Sequence, residues 1–127
     1  MNYEKMLEKM LEFRNARNWE QFHDPKNLAI ALSIEAGELM EHFLWVEKNQ
    51  IANFDEDKIQ AISEEIADVF IYLSYLAKGL NLDIESAVLR KIELNGKKYP
   101  INSVNDLQST EQIELSTHQV SEFLDHT

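Results

Sequence analysis

Four acidic residues stand where helical periodicity calls for apolar ones or close beside such positions, and their spacing is that of a metal cage. At 100° per residue, Leu28, Leu32, Glu35, Leu39 and Val46 fall on one stripe, so Glu35 takes a core position. Glu38 lies one turn on, at the shoulder of the stripe, and His42 and Trp45 follow on its ridge. A second segment repeats the arrangement: beside the apolar stripe Ile62, Ile66, Val69 and Leu73 run Glu65, Asp68 and Tyr72. Two carboxylates about 5 Å apart repel by roughly 3 kcal/mol at an effective dielectric near 20, and each loses hydration when buried. Nearby cations are scarce, since Lys26, Lys48, Lys58 and Lys78 fall at segment ends. A hard divalent cation, Mg²⁺ or alternatively Mn²⁺, compensates such a set best, because it takes oxygen ligands and keeps positions open for water and phosphate. Glu41, Glu47 and Glu64 point to solvent on the helical wheel.

Composition narrows the partners. The chain has 127 residues with 12 Lys+Arg against 23 Asp+Glu, a formal charge of −11, so its field repels nucleic acid. With no cysteine, thiolate metal sites, disulfides and Cys nucleophiles are excluded. No apolar run is long enough to span a membrane, and the first residues lack a basic-then-apolar leader, so a cytoplasmic protein without a membrane partner is expected.

With 3 Gly and 2 Pro, punctuation is sparse and the expected fold class is all-α, a four-helix bundle. The first helix runs from about Tyr3 to Arg17. The second starts at Asp24-Pro25, where Asp caps free amides and Pro loses no hydrogen bond, and continues to about Trp45 or Glu47. After a polar interval from Lys48 to Phe54, a third helix begins among Asp55, Glu56 and Asp57 and ends at Gly79. Asp83 caps a fourth, which must finish near Tyr99 because Pro100 follows. Residues 1–100 are thus expected to form the catalytic domain. Residues 101–127 carry five acids and no Lys or Arg, the composition of a loosely held or partner-packed tail.

The ordered motifs resemble a known family. Glu35-Ala-Gly-Glu38 followed by Glu64-Glu65-Ile-Ala-Asp68 is similar to the metal-binding signature of the MazG-like all-α nucleoside triphosphate pyrophosphohydrolases. His23-Asp-Pro-Lys-Asn27, Phe43-Leu-Trp45, the run to Tyr72-Leu and the closing Lys91-Ile-Glu-Leu-Asn95-Gly-Lys-Lys-Tyr99-Pro100 resemble its dCTP pyrophosphatase branch. The resemblance implies that Glu35, Glu38, Glu65 and Asp68 hold Mg²⁺. It implies that His23, Trp45 and Tyr72 form a nucleoside pocket and that Lys91 and Asn95 reach the triphosphate or sugar. Lys98 shares their ridge. The implied products are a nucleoside monophosphate and pyrophosphate, and the implied assembly is a homodimer or homotetramer. His42, where an apolar residue is expected, and the tail depart from the pattern.

Hydrolysis of a phosphoanhydride needs charge neutralisation and an in-line water rather than a covalent nucleophile. Glu38 and Glu65 are accordingly the expected catalytic carboxylates, with Glu38 the choice for accepting the water's proton. Two rival readings exist. A di-iron bundle needs two Glu-x-x-His pairs, and only Glu20-Gln-Phe-His23 fits. A non-catalytic acidic interaction module would tolerate neutralisation of its acids. Ile30, Ile34, Met40, Phe43 and Leu44 surround the second helix with more apolar surface than a monomer needs to bury, which favours self-association.

Overall fold

The computed structural model describes residues 1–101. It divides into two compact units, Met1–Ala87 and Val88 onward. The fold is all-α: four long helices and two short 3₁₀ turns, with no strand among the described residues.

Helix α1 (Tyr3–Ala16) starts where the Asn2 side chain accepts a hydrogen bond from the Lys5 amide at 3.0 Å. Its half-buried face carries Tyr3, Met6, Leu7, Met10, Leu11 and Arg14. Asn18 then adopts a left-handed backbone, φ 55°, a conformation that Asn tolerates better than most residues, and a 3₁₀ turn follows at Trp19–Phe22. Trp19 makes an edge-to-face pair with Phe13 at 5.6 Å, whereas Phe22 stays mostly exposed.

Helix α2 (Pro25–Glu41) begins as expected, with Pro25 in the first turn and the Asp24 carboxylate accepting from the Asn27 amide at 2.8 Å and from Asn27 Nδ2 at 2.9 Å. Asp24→Ala is therefore expected to destabilise the protein by about 1 kcal/mol in denaturant titration, the usual cost of losing such a cap, and Asp24→Asn to recover most of it.

The end of α2 differs from expectation. It stops at Glu41 and does not reach Trp45 or Glu47. The His42 and Phe43 amides bond three residues back, to Leu39 at 3.3 Å and Met40 at 2.9 Å, so the ladder tightens and unwinds. Aromatic and β-branched residues, Phe43, Trp45 and Val46, occupy the positions that would have continued it and are weak helix formers. A reciprocal cap between Glu47 and Gln50 then opens a 3₁₀ turn at Lys48–Asn53, inside the interval read as merely polar.

Helix α3 (Glu56–Gly79) is capped by Asp55, which accepts from the Lys58 amide at 2.8 Å, and ends at the expected glycine. Its inward stripe is rotated from the one the sequence suggested. Ile62 is buried and Val69 half-buried, but Ile66 and Leu73 are exposed. Their seven-residue spacing places them with Ile59 on a separate ridge, also exposed, while Lys58, Ile62, Glu65, Val69 and Tyr72 supply the half-buried face.

The principal packing surface is α2 on α3, and the buried residue of α2 is Leu28, which is 1% exposed. Two side-chain pairings fix its direction: Glu35 meets Glu65, and just past the end of α2 His42 Nδ1 meets Lys58 Nζ at 3.1 Å, nearer the start of α3. The helices are therefore antiparallel. Helix α1 is tied to α3 by the Tyr75 hydroxyl, which donates to the Met10 carbonyl at 2.7 Å, and by an edge-to-face contact of Tyr3 with Phe70 at 5.8 Å.

Helix α4 (Ile84–Lys98) follows Asn81, another left-handed residue with φ 55°. The Asp83 carboxylate accepts from the Glu85 amide at 3.0 Å and the Ser86 hydroxyl at 3.1 Å. The helix ends two residues before Pro100, as the pre-proline restriction requires. Of the tail expected at residues 101–127, residues 102–127 lie outside the described residues.

Candidate metal and nucleoside site

Antiparallel packing of α2 on α3 brings Glu35, Glu38 and Glu65 together, with one oxygen from each inside a group no more than 4.8 Å across. Glu35 and Glu65 are each half-buried, and each keeps one buried oxygen, Oε2, without a hydrogen-bond donor. Buried carboxylate oxygens ordinarily have donors. Burial, the adjoining Glu38 and Glu65 carboxyls, and the negative charge of Glu38 and Asp68 push the Glu35 pKa from 4.5 up to about 7. The residues fit a hard divalent cation on both counts: a converging all-oxygen donor set, and orphaned oxygens that lack any protein donor. Asp68, expected as a fourth ligand, is exposed and stands outside the 4.8 Å group, although its charge reaches Glu35.

The carboxylates adjoin an aromatic cluster. Burial, and after it the negative charges of Glu35 and Asp68, raises the pKa of the Tyr72 hydroxyl. His23 lies edge-on to Tyr72 at 6.3 Å and tilted against Tyr75 at 5.3 Å. Its Nδ1 is buried without a partner. Burial, and after it the charge of Arg14, lowers the pKa of His23, against an opposing contribution from Glu20. The carboxylate group thus lies along the α2–α3 seam, and His23, just ahead of α2, packs on Tyr72 and Tyr75 of α3.

The other expected site residues are placed differently. Trp45 lies beyond the end of α2 and is 93% exposed, so the ridge that was to carry it from Glu38 does not exist. Lys91, Asn95 and Lys98 lie on α4 in the second unit, exposed and on one ridge, with Lys98 Nζ 5.6 Å from the Tyr99 ring. Glu20, the acid of the only Glu-x-x-His pair, is exposed on the 3₁₀ turn and takes no part in the carboxylate group. Sequence reasoning passed over Arg14 and Tyr75. Arg14 carries a signal of the same kind as Glu35, a charge on the stripe set by Leu7, Met10 and Leu11.

Comparisons with known proteins bear on the family of the chain. Residues 30–112 match the model of the MazG-like family. The chain is 38% identical over 113 residues to dCTP pyrophosphatase 1 of Homo sapiens, covering 87% of this chain and 66% of that protein. With dCTP pyrophosphatase 1 of Mus musculus the identity is 40% over 93 residues, covering 72% and 55%. The chain thus spans somewhat less than two thirds of the length of these curated relatives. The crystal structure of a pyrophosphatase from Archaeoglobus fulgidus superposes with a TM-score of 0.72 at 42% identity, covering 76% of this chain and 91% of that one. A family match over most of the chain, the shared all-α fold and the paired acids on adjacent helices lead to one assignment: the chain belongs to the MazG-like family.

Proposed function

We propose that this protein is a Mg²⁺-dependent nucleoside triphosphate pyrophosphohydrolase that cleaves dCTP or a related pyrimidine nucleotide to the monophosphate and pyrophosphate. The observation that carries this is the convergence of Glu35, Glu38 and Glu65 with two donor-less buried oxygens, in a chain about 40% identical to dCTP pyrophosphatases. Glu35, Glu38 and Glu65 hold the metal ion, with Asp68 as the fourth ligand; Mn²⁺ satisfies the same donors. When bound, such an ion neutralises phosphate oxygens and acidifies a water. Glu38 accepts the proton of the attacking water, and Glu65 fixes the position of the group from the opposite helix. In a protein of charge −11, a triphosphate needs this local inversion of the field. Lys91, Asn95 and Lys98 of α4 contact the triphosphate or sugar.

His23 and Tyr72 line the nucleoside side. Trp45, nearly free of contacts in the single chain, stacks on the base. Because so little of it is buried, Trp45→Ala is expected to change stability by less than about 0.5 kcal/mol while raising KM for dCTP several-fold. An equal rise for purine and pyrimidine substrates would remove the base-stacking role.

The function is tested by incubating each common deoxynucleoside triphosphate with Mg²⁺ and identifying the products. Pyrophosphate with the monophosphate is expected, fastest from dCTP. Orthophosphate as the product would mean that a different bond is cut.

Exposed apolar ridges, Ile30 and Ile34 on α2 and Ile59, Ile66 and Leu73 on α3, support assembly as a homodimer or homotetramer. Among the described residues no helix is long and apolar enough to cross a membrane. A nucleotide substrate and a cysteine-free chain fit a cytoplasmic location without nucleic-acid or membrane partners.

A further inference from the structure

Behind His23 lies a stack that the proposed reaction does not use. Tyr75 is 4% exposed, and its hydroxyl is held by the Met10 carbonyl at 2.7 Å, so its ring is fixed between α1 and α3. His23 packs on that ring at 5.3 Å with an interplanar angle of 33°. The guanidinium of Arg14, a half-buried residue, lies 5.2 Å from the centroid of the same ring, within range of a cation–π contact. Its Nε donates to Asn15 Oδ1 at 3.1 Å, which steadies the head group. One aromatic ring thus holds a permanent cation and an imidazole together.

We infer that Arg14 is a positioning residue for the nucleoside pocket: packed on Tyr75 beside His23, it holds the imidazole in place and uncharged, so that His23 presents a ring able to accept as well as donate a hydrogen bond to an uncharged base. The inference rests on the reading of His23 as a nucleoside contact. The physics is a competition among the groups that face His23. Desolvation by Tyr72, Tyr75 and Trp19 disfavours imidazolium, and the Arg14 charge from α1 disfavours it further. Glu20, from the 3₁₀ turn, acts in the opposite direction. Asp24, next in the chain, has its carboxylate engaged by the Asn27 amide and side chain. Cationic imidazole would have no free acceptor lone pair, so loss of Arg14 converts an acceptor-capable ring into a donor-only one at mildly acid pH.

The test is the NMR titration of the His23 imidazole in the full chain, identified among the 4 histidines by its absence in His23→Gln. Arg14→Met, which keeps the packing and removes the charge, is expected to raise the His23 midpoint. Arg14→Lys should leave it near that of the parent, and Glu20→Gln should lower it. In turnover, Arg14→Met should raise KM for dCTP several-fold at pH 6, with little change at pH 8 and an unchanged kcat. Should Arg14→Met fail to fold, Arg14→Gln carries the same comparison. A midpoint that does not move in the neutral variants, or moves equally in Arg14→Lys, overturns the inference. Added dCMP should shift the His23 signals. A His23 blind to dCMP would instead overturn the pocket reading, which is separable because the ligand-free midpoints report the Arg14 link by themselves.

Discussion

Glu65→Gln is expected to abolish turnover while leaving the metal-free protein as stable as the parent or more so. The two effects have one origin. Glu65 brings a negative charge from α3 to a group already containing Glu35 and Glu38, with one oxygen buried and lacking a donor. In the absence of a cation this charge repels its neighbours, and a neutral amide of the same shape removes the repulsion. With a cation, the same charge is a ligand. Its removal from the reaction is expected to cost roughly 10³-fold or more in kcat, about 4 kcal/mol of barrier. The measurement is steady-state pyrophosphate release beside thermal unfolding in a chelator. A structural role alone would lower both together. Retained turnover in a folded Glu65→Gln protein would remove Glu65 from the site.

In a chelator, the protein is expected to lose stability as pH rises from about 5 to 7, and Mg²⁺ to restore it. Glu35 has its folded-state pKa raised from 4.5 to about 7. Between these values the unfolded chain has released a proton that the folded chain keeps. The folded state therefore binds more protons, and stability falls with rising pH until both states are ionised. Below about 4.5 the contribution of this group is fully present, and above about 7 it is gone. Saturation by metal at a hundred times its dissociation constant adds about 2.7 kcal/mol, roughly 10 °C in Tm for a domain of this size. Glu35→Gln should flatten the pH slope from pH 5 to 7 and lose the Mg²⁺ response. A parent Tm indifferent to pH across this window would contradict the packing of the three acids.

Helix starts were legible because each depends on a side chain within three residues, as Asp24, Asp55 and Asp83 illustrate. Glu35 was legible because a charge in an otherwise apolar stripe is visible without any tertiary information. The end of α2 was not, since its 100° periodicity continues through Val46 while the backbone tightens at His42 and Phe43. Extending the helix on paper carried Trp45 onto the Glu38 ridge, a placement that the chain abandons. The rotation of α3 was hidden for a different reason. Both Ile62–Ile66–Val69–Leu73 and Ile62–Glu65–Val69–Tyr72 are valid helical stripes, and only packing against α2 and α1 selects between them. The His23 cluster draws on α1, the 3₁₀ turn and α3, so no local pattern contained it.

The most direct measurement is a crystal structure of the protein soaked in Mn²⁺, with the ion located by anomalous scattering. A peak bonded to oxygens of Glu35, Glu38 and Glu65 at about 2.2 Å is the predicted result, with Asp68 turned in to join them. A peak elsewhere, or three carboxylates that stay together with no ion between them, would contradict the account.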